Sequence, residues 1–268
     1  MRALVTGGSS GIGLAFARTL AEHGSDLVLV ARDGAKLDEV AAQLRAGYAI
    51  DVEVMVADLA DAQAVAQVAA RIEADDKPCD VVINNAGIAL HASLLDDDLA
   101  LQETAMAIMV TAVLKLSNVA ARAMVRRGQP GHIINIASAS AWIYVGNYSA
   151  IKRWVVSYTQ GLAVELKGSG VTATAVCPGW VKTAFHDRAG VGRPKLPGFI
   201  WVDVDEVAAE GLAAALTGRS VCVPSAKWRF AIWVAQHGPA VVAEKASQML
   251  VSSRHSPNRL KGRNSVAE

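Results

Sequence analysis

Six short apolar runs, each followed by a stretch of helical spacing or a turn, occupy the first two thirds of this 268-residue chain. That alternation constrains the fold more than any other feature. Arg2–Thr6, Asp26–Ala31, Val52–Val56, Asp80–Ile83, His132–Ala137 and Val171–Cys177 read as strands. Asp26–Ala31 is nearly continuous in apolar residues, as expected of a parallel strand covered on both faces. Helical periodicity runs from about Ile12 to His23, Leu37 to Leu44, Ala62 to Ile72, Leu99 to Arg126 and Tyr148 to Leu166. Parallel strands need such crossovers, and right-handed crossovers put helices on both sides of the sheet. The expectation is one α/β domain: a Rossmann-type doubly wound parallel sheet with helices on both faces.

Past Pro178-Gly179 the pattern loosens. Residues 184–198 are rich in Gly, Pro and basic side chains, and 184–204 is expected to be a loop over the substrate. Asp203–Leu216 reads as a helix with Asp203 or Asp205 near its start, and Arg219–Val223 as a last strand. Residues 1–251 are taken as one domain and 252–268 as a polar, flexible tail.

Composition excludes several classes. A 52% hydrophobic, 19% charged chain is globular, and a net charge of +1 offers no basic excess for nucleic acid. Cys79, Cys177 and Cys222 form no CxxC pair and are expected to be small buried residues. The six histidines show no metal spacing, so no metal is expected. No run approaches the roughly 18 apolar residues of a membrane span, and no signal peptide is recognised. The expected location is the cytoplasm.

The loop Thr6-Gly-Gly-Ser-Ser-Gly-Ile-Gly13 lies between the first strand and the first helix. A helix N-terminus presents unsatisfied N–H groups and partial positive charge, which suits a pyrophosphate. Glycines allow the turn and let backbone approach phosphates. The alternative is a plain structural turn.

This loop resembles the TGxxxGxG motif of short-chain dehydrogenases/reductases. Further matches follow in that family's order: Asp58, Asn84-Asn85-Ala86-Gly87, Ser138, Tyr148-x-x-x-Lys152 and Pro178-Gly179. The resemblance implies that Gly7, Ser9, Ser10, Gly11, Ile12 and Gly13 line the dinucleotide. It implies that Asp58 binds adenine, unless it simply caps the chain before Asp61. Asn85, Ala86 and Gly87 would bring backbone to the ribose, or form a simple turn. Pro178, Gly179, Val181 and Thr183 would flank the nicotinamide end.

Tyr148 and Lys152, four apart on a helix, share one face. A phenol with its ordinary pKa of about 10 suits neutral proton transfer poorly, and a nearby ammonium lowers that pKa. The resemblance makes Tyr148 the acid/base and Ser138 the hydrogen-bond donor to substrate oxygen, with Ser140 the alternative. Two features depart from the family. Ser138 precedes Tyr148 by ten residues, where about thirteen are usual. Met109 stands where many members carry an asparagine that holds a water beside the lysine, which implies an altered proton relay.

Cofactor choice is read from the end of the second strand. There Ala31-Arg32 replaces the acid that bonds both ribose hydroxyls in NAD enzymes. Arg32 could pair with a 2′-phosphate, so NADP(H) is expected over NAD(H). Asp33 is read as the N-cap of the next helix. Trp142, Tyr144 and Trp180 could line an apolar carbonyl or alcohol site, or be ordinary core. Trp228, Phe230, Ile232, Trp233 and Val234, with Lys227 and Arg229, could form a membrane-surface helix or pack at the substrate mouth or a partner subunit. A homo-oligomer is expected by analogy. The second functional reading is a catalytically weak nucleotide-binding regulator, possibly associated with a membrane surface.

Overall fold

The computed structural model describes residues 1–90, 92–183, 197–239, 244–245 and 247–248. Along the chain stand β1 (Arg2–Thr6), α1 (Gly11–Glu22), β2 (Asp26–Ala31), α2 (Gly34–Tyr48), β3 (Val52–Val56), α3 (Ala62–Glu73) and β4 (Val81–Asn84). Next come α4 (Ala100–Met106), a π-helical turn (Ala107–Thr111), α5 (Ala112–Arg127), β5 (Gly131–Ile136), a 3-10 turn (Ala139–Trp142), α6 (Gly146–Glu165) and β6 (Val171–Val176). The last part holds β7 (Trp180–Val181), β8 (Trp201–Val202), α7 (Val204–Leu216), β9 (Val221–Cys222) and α8 (Ala226–His237).

Seven strands form one parallel sheet in the order β3-β2-β1-β4-β5-β6-β9. Side chains alternate between its faces with the strand period of two. Ala3, Val5, Leu27 and Leu29 pack with α1, α2 and α7; Leu4, Val28 and Val30 pack with α3, α5 and α6. The Rossmann-type arrangement read from the sequence is therefore observed. Strand order reverses direction between β1 and β4, and such a reversal opens a crevice at the carboxyl ends of the strands.

Local chemistry fixes several helix starts. The Asp33 carboxylate accepts from Lys36 N (3.0 Å), Asp61 from Gln63 N and Ala64 N, and Asp203 from Asp205 N. Each such cap stabilises its helix by about 1 kcal/mol.

One expectation is corrected. By length and composition alone, Ala100–Arg127 is apolar enough to cross a membrane, although no such run was anticipated. Half of its most apolar window is buried, and its inward residues Met109, Leu116, Ala120 and Met124 belong to the core on the α3 side of the sheet. The pattern fits a core helix. The π turn, the 3-10 turn, the β7–β8 pair and the full extent of α8 were not foreseen. Residues 184–196, and with them most of the expected substrate loop, lie outside the described residues, as does the tail 252–268.

Candidate active site

Hydrogen bonds tie together the loops that leave β1 and β4 at the crevice. Thr6 Oγ1 donates to Ile83 O and accepts from the amides of Asn85 (2.9 Å) and Ala86 (3.0 Å). The Asn85 side chain donates to Thr6 O (2.9 Å) and Gly7 O (3.3 Å). Asn85 is thus a tie between the two loops, and its neighbour Gly87 lies against Met109.

The glycine loop is shaped by contacts that leave no room for side chains. Gly7 has φ +65° and Gly11 φ +58°, the region that favours glycine. A Cβ on Gly13 would stand 2.3 Å from Gly7 O and 2.5 Å from the Asn85 amide nitrogen. Ser10 is the N-cap position of α1, Gly11 to Gly13 form its first turn, Ser9 is buried and Ile12 is half-buried. The first amides of a helix have no acceptor within it, so this cradle of backbone fits a pyrophosphate.

Arg32 follows β2 directly and is exposed, while Asp33 is engaged as the cap of α2. Asp58 is also exposed; its carboxylate accepts from Ala60 N (3.0 Å) and leads the chain into α3, whose cap is Asp61.

Ser138 ends β5. Its Oγ accepts from Ser140 N (3.1 Å) as the 3-10 turn begins. That single tight turn spans much of the short connection to Tyr148. The alternative, Ser140, has its hydroxyl buried with no partner among the described residues. Tyr148 lies in the first turn of α6, and Lys152 one turn later is 5% exposed. Lys152 Nζ donates to Ile136 O (2.8 Å), two residues before Ser138, and lies 5.7 Å from the centre of the Tyr148 ring. Burial pulls the Lys152 pKa down to about 8, slightly opposed by Cys177. Burial likewise pushes the Cys177 thiol far up and the Cys222 thiol up to about 11, so neither is a ready thiolate. All three cysteines are free and buried.

Met109 sits in the π turn, 1% exposed; a Cβ on Gly87 would lie 3.1 Å from its sulfur. A thioether is only a weak acceptor, so this side chain packs rather than orders water. The π turn itself is a departure often found at functional sites.

From β6 the chain runs Cys177-Pro178-Gly179 into β7. Pro178 O accepts from Ala139 N (2.8 Å), Val181 is buried, and the Thr183 methyl would lie 3.3 Å from a Cβ on Gly11. One segment thus reaches from the Ser138 turn to the glycine loop. The aromatic candidates separate. Trp142 packs beside the core cluster of Val155 and Val156, Trp180 meets Trp201 edge-on at 6.1 Å, and Tyr144 is 65% exposed. In α8, Trp228 and Ile232 face inward, while Phe230 and Trp233 are exposed. Packing therefore accounts for Trp228 and Ile232, while Phe230 and Trp233 stay on the outer face of the helix.

Sequence reasoning missed a buried amide network behind the site. Asn84 Nδ2 donates to Asn135 Oδ1 (2.8 Å) and Ser117 Oγ (3.0 Å), and Asn135 Nδ2 donates to Thr159 Oγ1 (3.0 Å). It joins β4, β5, α5 and α6. The polar residues were visible in the chain, but their pairing depends on strand register.

A sequence model of the short chain dehydrogenase family matches residues 1–191. Galactitol 2-dehydrogenase (L-tagatose-forming) of Cereibacter sphaeroides is 40% identical over 187 residues, 68% of this chain and 71% of that protein. The structure of a short-chain dehydrogenase from Sphingobium yanoikuyae in complex with NADPH superposes with a TM-score of 0.80 at 33% identity, covering 96% of this chain and 97% of that one. A bulky-bulky ketone specific alcohol dehydrogenase from Comamonas testosteroni superposes with a TM-score of 0.75 at 28% identity, covering 88% and 92%.

Proposed function

The chain belongs to the short-chain dehydrogenase family, and from that premise we propose that it is an NADP(H)-dependent oxidoreductase acting on a carbonyl or secondary alcohol. The observation that carries this reading is the dry Lys152 ammonium beside the Tyr148 ring, at the end of β5 and next to a backbone cradle that fits a dinucleotide.

When bound, the nicotinamide supplies or accepts the hydride. The protein's part is positioning and proton transfer. Gly7, Ser9, Ser10, Gly11, Ile12 and Gly13 would hold the pyrophosphate, Asn85, Ala86 and Gly87 the ribose side, and Pro178, Gly179, Val181 and Thr183 the nicotinamide end. Arg32 would pair with a 2′-phosphate, and Asp58 would meet the adenine. The Ser138 hydroxyl donates to the substrate oxygen. Tyr148 Oη gives that oxygen its proton in reduction and takes it back in oxidation. Lys152 favours the phenolate by its charge. With Met109 in the π turn, we place resupply of the proton through solvent or another polar group.

The relatives' substrates differ, a polyol in one case and bulky ketones in another, so the substrate class proposed is the shared one. An apolar substrate is favoured by the exposed Tyr144 and Phe199 and by the Trp180–Trp201 pair. Relatives named as dehydrogenases weigh against a catalytically inert regulator. The proposal keeps residues 1–251 as one domain with 252–268 as a tail, and takes the protein as a cytoplasmic homo-oligomer. It is tested by NADPH and NADH turnover against a panel of ketones, sugars and secondary alcohols. Turnover of no carbonyl or alcohol with either nicotinamide would remove the enzyme reading, and a preference for NADH would remove the Arg32 assignment.

A further inference from the structure

Helix α8 is fastened to the site at several points. A Cβ on Gly179 would stand 2.0 Å from the Trp228 ring, so the indole lies directly on the Gly179 backbone. Trp228 Nε1 donates to Ile200 O (3.0 Å), and Lys227 Nζ donates to Trp201 O (2.7 Å). One side chain therefore holds the segment that leaves β6, and the same helix turn holds the residues that return into β8. β7 and β8 pair beside it, Trp180 opposite Trp201 and Val181 opposite Val202.

The helix is aimed by an unusual joint. Ser225, its N-cap residue, has φ +75° and ψ 127°, a conformation that side-chain-bearing residues rarely adopt. Ser225 is buried, its amide donates to Glu210 Oε1 (3.2 Å), and the other oxygen of Glu210 pairs with Arg229 (2.9 Å). Strain of this kind persists only where the surroundings over-determine it. Here α7 and α8 together fix the direction in which Trp228 points.

We infer that Trp228 is a positioning residue that clasps Gly179 and Ile200, and so sets the nicotinamide end of the cofactor site. The inference rests on the oxidoreductase reading. Beyond Gly179 the chain continues to Thr183, against Gly11, and behind it Pro178 O holds the Ser138 turn through Ala139 N. Loosening the indole frees this segment at the nicotinamide end. The glycine loop keeps its own ties to Asn85 and Val30, so the adenosine half of the site stays intact.

That asymmetry supplies the test. NADPH spans both halves of the site; 2′,5′-ADP occupies only the adenosine half. If the wild-type protein prefers NADH, the matching probes are NADH and 5′-AMP. Dissociation constants are measured for wild type, Trp228→Ala, Trp228→Phe, Gly179→Ala and the Gly179→Ala/Trp228→Ala double variant. Trp228→Ala weakens the dinucleotide about tenfold and the half-ligand less than about twofold. Trp228→Phe keeps the ring on Gly179 and loses only the Ile200 bond, so it recovers most of the affinity. Gly179→Ala drives its methyl into the indole and weakens the dinucleotide as much as Trp228→Ala does. Removing the indole makes room for that methyl, so the double variant is no worse than the worse single one, where independent effects would multiply.

Equal losses of both probes in Trp228→Ala would reduce the indole to a general support of the fold and overturn the clasp. Losses that multiply in the double variant would overturn it as well. A wild-type protein that binds neither probe pair would overturn the oxidoreductase reading, and the clasp with it.

Discussion

Arg2 and Lys152 are both buried, at 6% and 5% exposure, but they stand at opposite ends of the same sheet and in opposite company. Arg2, at the amino end of β1, reaches Asp26 (3.0 Å) and Asp51 (3.1 Å) with its guanidinium, while its amide donates to Asp80 (2.8 Å). Lys152 has a backbone carbonyl and an aromatic ring, and among the described residues no carboxylate pairs with it. A buried cation with carboxylates around it serves the fold. A buried cation without them costs stability, and its retention points to chemistry. The amino ends of the strands hold the sheet together, and the proposed site lies at the carboxyl ends.

The largest expected effect tests the carboxyl end directly. Tyr148→Phe removes the phenol that Lys152 faces and leaves the ring. Turnover should fall about 10²–10⁴-fold, the usual worth of a positioned acid–base group, with cofactor affinity and melting temperature nearly unchanged. Steady-state kinetics beside a thermal melt make the check. Near-wild-type turnover would mean that Tyr148 is not the acid and that Lys152 needs another explanation.

Arg2→Met is the mirror experiment. It leaves Asp26 and Asp51 close together without their shared cation. Both are partly exposed, so water recovers much of the loss, and a destabilisation of about 2 kcal/mol is expected, below that of a fully buried pair. Turnover per folded molecule should not change. The hydrogen bond from Arg2, then that from Lys77, holds the Asp51 carboxyl below its ordinary value of 3.8. Its contribution is present above about pH 4 and is lost as the pH falls through the lowered value, so Arg2→Met should flatten the acid limb of stability. Urea melts at pH 3 to 7 decide it. An unchanged acid limb would show that Asp51 is held by Lys77 alone.

Much of this geometry was legible in the chain because it is local. β2 and β3 fall on the residues whose apolar runs marked them, Asp33 caps α2 as its position suggested, and the glycine loop sits between β1 and α1. What was not legible depends on register or on distant packing. Asn84 and Asn135 meet only because β4 and β5 pair in that alignment, 51 residues apart. The indole of Trp228 finds Gly179 only through the turn of Ser225. The extra residue of a π turn hides inside a helical period, so Leu99–Arg126 read as one unbroken helix. Lys152 was recognised through its spacing from Tyr148, and nothing in that spacing said it would be dry.

That dryness yields the next effect. Burial holds the Lys152 pKa near 8 in the fold, against an ordinary 10.5. Between those values the unfolded chain binds the proton more readily, so stability rises with pH from about 8 to 10.5; below 8 the full penalty applies. The shift corresponds to at most roughly 3 kcal/mol. Lys152→Met removes the charge, so the variant should be more stable than wild type at pH 7, and the gap should narrow to about 1 kcal/mol by pH 10. Its turnover should be lost. Denaturant melts of both proteins across pH 7 to 10 measure this. A Lys152→Met protein that is less stable at pH 7 would mean that the ammonium is better solvated than its surroundings suggest, and the contrast with Arg2 would disappear.

The smallest effect belongs to an exposed cation at the carboxyl end, Arg32. β2 ends at Ala31, so Arg32 stands where a ribose-binding acid would stand in an NAD enzyme. The one nearby carboxylate in sequence, Asp33, accepts from Lys36 N and caps α2, which leaves it poorly placed to bond ribose hydroxyls as well. An arginine fork can take a 2′-phosphate in two hydrogen bonds, and a carboxylate in that place would repel it. Exposure weakens the pair by solvent screening, so Arg32→Ala should cost NADPH affinity about tenfold and leave NADH within about twofold. The NADPH loss should shrink as salt is raised, since an exposed ion pair is screened. Titrating both cofactors at low and high ionic strength separates the outcomes. Equal losses for NADPH and NADH would make Arg32 a support of the loop rather than a reader of the phosphate. A tenfold loss that ignores salt would point to a buried contact that the exposed position of Arg32 does not offer.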